Sequence, residues 1–304
     1  MPPVTSAERM PRQPSNNPVA PPTSGLSAAG TNGHSHVRRW LDAVDQDAAA
    51  APAPAVELRG VRKRLDHAPG LAGADLESPE GSISVVLGPV GAGKTLLLKA
   101  ASGLVEIDAG EVWVGGHNLD RMRRSEVLAL RRETGVMFQE GGLFNAMSVY
   151  ENIGFPLRQH RDLTEREVHD LTMDQVEALD LTPVADLRPR ELSRAQRKLV
   201  SFARSVILEP RFLWCDEPDR EVPAESIATL ITLLRDYHRR QPGGTVVVLS
   251  RDLDLARRLG DHVAVLLEGR VVASGRPDQV LGGRQELLRR YLSGKLRAPA
   301  QGSR

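Results

Sequence analysis

The sequence predicts an α/β fold built around a phosphate-binding loop, and three observations carry that expectation. Gly88-Pro-Val-Gly-Ala-Gly-Lys-Thr95 fits the P-loop pattern of Gly, four residues, Gly-Lys-Ser/Thr. It lies between residues 82–87, an apolar run that reads as a buried strand, and residues 95–101, which are good helix formers. A second apolar strand, residues 212–216, ends in the acid pair Asp216-Glu217, where a P-loop needs carboxylates opposite it.

Taken in order, residues 1–55 are rich in Pro, Ala, Ser, Asn and Gly and read as a disordered tail. Within it, residues 36–44 put Val37, Trp40, Leu41 and Val44 on one helical face. That pattern suits a transient helix or a docking segment. An ordered unit is expected over 56–296. Strands are read at 56–59, around 76–86, at 111–116 and at 135–138, with a helix over 123–132. A helical insertion is expected over about 145–208, punctuated by Pro183, Pro189 and Pro210. Strands then return at 212–216, 245–249, 262–267 and 270–273, with helices over 224–240 and 252–259 between them. Residues 297–304 read as a loose tail.

Composition removes several function classes. Lys+Arg number 40 against Asp+Glu 39, for a net charge of +1, so nucleic acid is not expected as a partner. Cys215 is the single cysteine, which rules out an intramolecular disulfide framework and fits a reducing cytoplasm. The longest apolar runs are strand-sized, far short of the ~18 residues of a membrane span, and no secretory signal is read at the start. No direct membrane insertion is expected; a membrane role would come through a partner. His34 and His36 have no ligand companions nearby, so no metal is assigned to them.

The chemistry centres on the loop Gly88, Pro89, Val90, Gly91, Ala92, Gly93, Lys94 and Thr95. Its glycines let successive N–H groups turn into one concavity, and the following helix adds its positive end. Lys94 is expected at the terminal phosphates of a nucleotide and the Thr95 hydroxyl on magnesium. The 212–216 strand aims Asp216 at the magnesium shell. Glu217 stands where a general base polarises a water for attack on the γ-phosphate.

These motifs, with Val-Met-Phe-Gln139, Glu-Leu-Ser193 and Leu-Trp-Cys-Asp-Glu-Pro218 in the same order, resemble those of ABC transporter ATPases over residues 56–293. The stretch 138–158 and the ending 286–294 resemble the branch that powers Mce-type lipid and sterol importers. The resemblance implies a P-loop NTPase with a RecA-like core, an antiparallel β-lobe and an α-helical ABC subdomain. It implies ATP and Mg2+ as cofactors, sandwiched in a head-to-tail dimer with a second ABC ATPase subunit, whether the same chain or another. It also implies an integral-membrane permease as partner, hence a cytoplasmic protein peripheral on the inner face of the cell membrane. By the same resemblance Gln139 contacts magnesium or the attacking water, and Ser193 belongs to the signature that faces the partner's nucleotide.

Four positions depart from the resemblance. The signature reads Leu192-Ser-Arg-Ala-Gln196, so Arg194 and Ala195 add bulk where glycines usually allow close approach. Arg251 stands at the switch-histidine position; it can pair with phosphate but cannot relay a proton as imidazole does. The D-loop reads Asp219-Arg-Glu-Val-Pro223, with Pro223 at its aspartate position, and Leu65 replaces the adenine-stacking aromatic. Loss of one well-placed transition-state contact costs ~3 kcal/mol. Retained ATP-Mg binding with weak hydrolysis by the chain alone is therefore expected. Two functions stay open: a subunit that drives transport, and a regulatory nucleotide-binding subunit that occupies the permease without driving it.

Overall fold

The computed structural model describes residues 54–282 apart from 66–69, 140 and 223, together with Leu288. The amphipathic stretch 36–44, His34, His36, Pro223 and the terminal tails lie outside the described residues.

Among the described residues ten strands form two sheets. β1 (Pro54–Lys63), β2 (Leu71–Pro79), β4 (Ala109–Val114) and β5 (His117–Asn118) make an antiparallel sheet in the order β2-β1-β4-β5. β1 begins at Pro54, before the expected boundary at 56. Ala55 is buried and its carbonyl accepts the Gly115 amide at 2.7 Å. The second sheet contains β3 (Ile83–Leu87), β6 (Thr134–Met137), β7 (Phe212–Asp216), β8 (Thr245–Ser250), β9 (His262–Leu267) and β10 (Arg270–Gly275). Its order is β10-β9-β3-β8-β7-β6, parallel except for the β9–β10 pair.

The parallel strands are near-continuous apolar runs because both of their faces are covered. Leu213, Cys215, Val246, Val248, Val263 and Val265 join one core. Their neighbours Phe212, Trp214, Val247, Leu249, Ala264 and Leu266 join the other. The period of two thus feeds two cores at once. The first core packs under α6 (Ala224–Arg240) and α7 (Leu253–Leu259). The second holds α1 (Lys94–Ala101) against the antiparallel sheet. α2 (Arg124–Arg132) precedes β6, and the short α8 (Pro277–Leu281) follows β10.

A third core belongs to the helical segment: α3 (Val149–His160), α4 (Glu165–Ala178) and α5 (Arg194–Val206) close over Val149, Ile153, Val176, Leu192 and Val200. Pro189 opens one 3-10 turn and Pro183 is the second residue of another, whereas Pro156 sits inside α3. Each of these three helices starts on a hydroxyl cap with a reciprocal acid or amide: Ser148 with Glu151, Thr164 with Glu167, Ser193 with Gln196. α5 also reaches back to the sheet, where Phe202 and Val206 enter the first core. That approach depends on Gly135 in β6, where a Cβ would lie 2.2 Å from the Ser205 carbonyl oxygen. Among the described residues no helix is long and apolar enough to cross a membrane.

Candidate phosphate-binding site

The site forms where the parallel strands end. β3 delivers Gly88, whose amide donates to the Ser250 carbonyl at 3.2 Å. A Cβ on Gly88 would meet the Leu266 carbonyl oxygen at 2.7 Å, so only glycine lets the loop leave the sheet this tightly. Gly91 and Gly93 have φ of 80° and 101°, in the left-handed region, and Gly93 is the N-cap of α1. Gly93 offers no side-chain cap to the first amides of that helix. They are left facing the concavity, the arrangement that binds phosphate. The residues from Val90 to Thr95, with Leu65, Gln139, Glu217 and Arg251, line one cavity of about 440 Å3.

Thr95 and Asp216 meet directly: the Thr95 hydroxyl donates to Asp216 Oδ2 at 2.7 Å. The other oxygen, Oδ1, is buried and has no hydrogen-bond partner among the described residues. Burial pushes the Asp216 carboxyl above its ordinary range, with the Thr95 hydrogen bond opposing and the neighbouring Glu217 charge reinforcing the rise. A buried, unsatisfied carboxylate oxygen beside a hydroxyl is a donor set suited to a hard cation such as Mg2+. Thr95, Asp216 and Gln139 are the residues that could hold one.

Glu217 sits at φ 46°, turned sharply out of β7. Its own amide donates to the Leu249 carbonyl at 2.9 Å, and Lys198 Nζ donates to its carbonyl at 2.8 Å. Its carboxylate takes Lys94 Nζ at 3.0 Å on Oε1 and Gln139 Nε2 at 3.1 Å on Oε2. Arg251 and Arg220 stand at 3.8 and 3.9 Å. Burial alone would raise this carboxyl. The hydrogen bond and charge of Lys94, then Gln139 and Arg251, outweigh it and hold Glu217 below the usual range. Glu217 is therefore an anion at neutral pH, the form a general base requires.

Lys94 also donates to the Gly88 and Pro89 carbonyls at 2.7 and 3.0 Å. To reach a phosphate it must leave these partners and Glu217. Leu65 stands on the cavity rim, 42% exposed, where an adenine face could pack.

Ser193 does not line this cavity in its own chain; its hydroxyl accepts the Gln196 amide at 3.2 Å at the start of α5. Next to it Arg194 pairs with Glu221 at 2.9 Å, both side chains well exposed. Arg194, Arg197, Lys198, Arg220 and Glu221 line a second, polar cavity of about 350 Å3 that shares Gln139 and Arg220 with the first.

Sequence reasoning missed Lys198, whose amine anchors Glu217 from 19 residues away. It also missed the buried Asn152. That side chain accepts the Phe144 amide at 2.8 Å and donates to the Phe144, Met147 and Ser148 carbonyls, fixing the loop that follows Gln139. Neither carries a local motif; an Asn inside an otherwise apolar helix face was the available signal for the second.

Comparison with known proteins places these features in context. A sequence model of the ABC transporter family matches residues 71–220. The probable ribonucleotide transport ATP-binding protein mkl of Mycobacterium leprae (strain TN) is 30% identical over 245 residues, covering 81% of this chain and 70% of that protein. The intermembrane phospholipid transport system ATP-binding protein MlaF of Escherichia coli (strain K12) is 32% identical over 219 residues, covering 72% of this chain and 81% of MlaF. Among solved structures, the ATP-binding cassette MJ0796, in a dimeric post-hydrolysis state with ADP and Pi, superposes with a TM-score of 0.67 at 24% identity, covering 73% and 98% of the two chains. The cbiO1 protein of Clostridium perfringens, part of the transporter complex cbiONQ, gives a TM-score of 0.67 at 24% identity, covering 77% and 93%. The expected α/β cassette fold is thereby borne out.

Proposed function

The chain belongs to the ABC transporter family, and from that premise we propose that it is an ATP-Mg-binding subunit whose dimer closure is coupled to a membrane permease for lipid or sterol import. The observation that carries the nucleotide part is the Thr95–Asp216 contact with its unpartnered Oδ1, directly beneath a glycine-turned helix N-terminus. The cargo part is supported by the 138–158 stretch and by the likeness to MlaF, named for phospholipid transport.

Each residue then has a task. Gly88 to Gly93 and the first turn of α1 bind phosphates, and Lys94 moves from Glu217 to the terminal ones. Thr95, Asp216 and Gln139 would hold Mg2+, which would supply positive charge to the phosphates. Gln139 and Glu217, already 3.1 Å apart, orient a water and accept its proton at a Glu217 oxygen. Leu65 packs the base. Arg251 stands over Glu217 where imidazole is usual, and Ser193 with Arg194 is presented to a second subunit's nucleotide.

Hydrolysis is impaired or asymmetric in this reading. Arg194 places a long side chain on the first turn of α5, so a homodimer carries a crowded signature at both sites. A heterodimer with a standard subunit keeps one good site. The Arg194–Glu221 pairing favours a second reading, a regulatory subunit in which nucleotide fixes shape without driving transport. Both place the protein on the cytoplasmic face, held by the permease.

Glu217→Gln separates them: a driving subunit loses transport and traps ATP, whereas a regulatory one changes little. Co-purification of a permease from membranes, followed by ATPase assay with and without a standard partner subunit, tests the assignment as a whole. Absence of any permease, with Lys94→Ala binding ATP as well as wild type, would sink it.

A further inference from the structure

Two loops carry one arginine each to the rim of the nucleotide cavity: Arg220, four residues beyond β7, and Arg251, just beyond β8. Arg220 Nη1 lies 3.9 Å from Glu217 Oε2 and Arg251 Nε lies 3.8 Å from Oε1. With Lys94 at 3.0 Å, three cations surround one carboxylate. The second carboxylate of the site, Asp216, accepts the Thr95 hydroxyl on Oδ2 and brings the acids to two against these three cations. The cavity therefore holds more positive charge than its own acids neutralise.

Both guanidiniums stand too far from Glu217 to hydrogen-bond it, and among the described residues neither makes another side-chain hydrogen bond, so their planar donor forks can turn to a ligand. Their side chains are 42% and 40% exposed, open to a ligand in the cavity. The loops are also fastened together. The Ser250 hydroxyl donates to Asp219 Oδ2 at 2.8 Å and accepts the Asp252 amide at 2.9 Å. Asp219 precedes Arg220 and Ser250 precedes Arg251, so one partly buried linkage sets the spacing of the two arginines.

We propose that Arg220 and Arg251 form a guanidinium clamp, supplied within one chain, that reads the terminal phosphate of a nucleoside triphosphate and distinguishes it from a diphosphate before any partner closes over the site. This rests on the nucleotide reading above. Guanidinium is suited to the task because it meets phosphate oxygens through paired N–H groups and keeps its charge at any working pH. The clamp lies beside Glu217, where the terminal phosphate is attacked, so a diphosphate would not extend to it. It also offsets the repulsion between Glu217 and an arriving phosphate.

Equilibrium binding of fluorescent ATP and ADP analogues with Mg2+ to the full-length chain tests this, at concentrations where sedimentation shows a monomer. The wild type is expected to prefer ATP about tenfold or more. Arg220→Ala and Arg251→Ala should each weaken ATP by about five- to tenfold, as expected for loss of a charge-assisted contact, and move ADP less than about twofold. Arg251→Lys should keep part of the preference, and a thermal melt confirms that each variant is folded. Equal weakening of ATP and ADP, unchanged binding of both, or a preference that emerges only on dimerisation overturns the clamp. Lys94→Ala keeps the two claims apart. If it binds both nucleotides as wild type does, the nucleotide-site assignment itself has failed.

Discussion

The candidate phosphate cradle and the surface proposed to close over a partner's nucleotide are built differently. Lys94 and Glu217, the central ion pair of the cradle, are 5% and 9% exposed, with further hydrogen bonds from strand ends and from Gln139. Arg194 and Glu221, the pair across the closing surface, are 67% and 49% exposed and rest on side chains alone. A buried, cross-braced pair is expensive to disturb, whereas an exposed one contributes ~0–1 kcal/mol. The proposed phosphate seat is therefore fixed by the fold of this chain. The closing surface is a local choice of residues, open to change at little cost in stability.

Breaking the cradle should give the largest effect. Lys94→Ala strips Glu217 of its nearest cation and removes a phosphate ligand, and ATP affinity should fall by about 10²-fold or more by isothermal titration. The complementary experiment repairs the closing side. Arg194→Gly with Ala195→Gly should raise turnover of the isolated chain by roughly 10- to 10²-fold, within the range of one restored transition-state contact. ATP affinity of the monomer should stay within about twofold, because neither residue lines the cradle. A repaired variant as slow as wild type would mean that the closing side is not what limits hydrolysis.

The seam between the two regions can be pried directly. Gly135→Ala puts a methyl group against the Ser205 carbonyl of α5 and should cost ~2 kcal/mol, read as a lower midpoint in urea unfolding. Acid titration gives a smaller signal. The Glu217 carboxyl is held below its ordinary value of 4.5, so the stability it contributes is fully present above that value. It is lost as pH falls through the lower folded value. The stability difference between wild type and Glu217→Gln should thus shrink below pH ~4.5, measured by thermal melts across pH. Smallest of all, Glu221→Gln should change stability by less than ~1 kcal/mol, since it breaks only the exposed pair.

The cradle was legible in the sequence because its parts are local: a strand, a glycine turn and a helix start within residues 82–101, and an acid pair closing one apolar strand. The limits of β7 and α6 were also readable, since both begin and end where their apolar patterns do, whereas the strand region expected around 76–86 crosses the turn between β2 and β3. The braces were not. Lys198 on Glu217, Ser250 on Asp219 and Arg194 on Glu221 join residues 19 to 31 positions apart. No periodicity records which side chains a tertiary fold brings together. The four unusual positions were visible as letters. Their placement separated them: Arg251 and Leu65 line the cradle, Arg194 faces a neighbouring cavity, and Pro223 lies outside the described residues.

A sound seat beneath a poor closure can be read in one steady-state assay. ATP turnover of the purified chain is measured at saturating ATP-Mg, alone and with an equimolar standard ABC subunit. The expected result is full nucleotide occupancy with turnover at least about 10²-fold below that of the standard subunit alone, rising when the two are mixed. Turnover by the isolated chain equal to that of the standard subunit would contradict it.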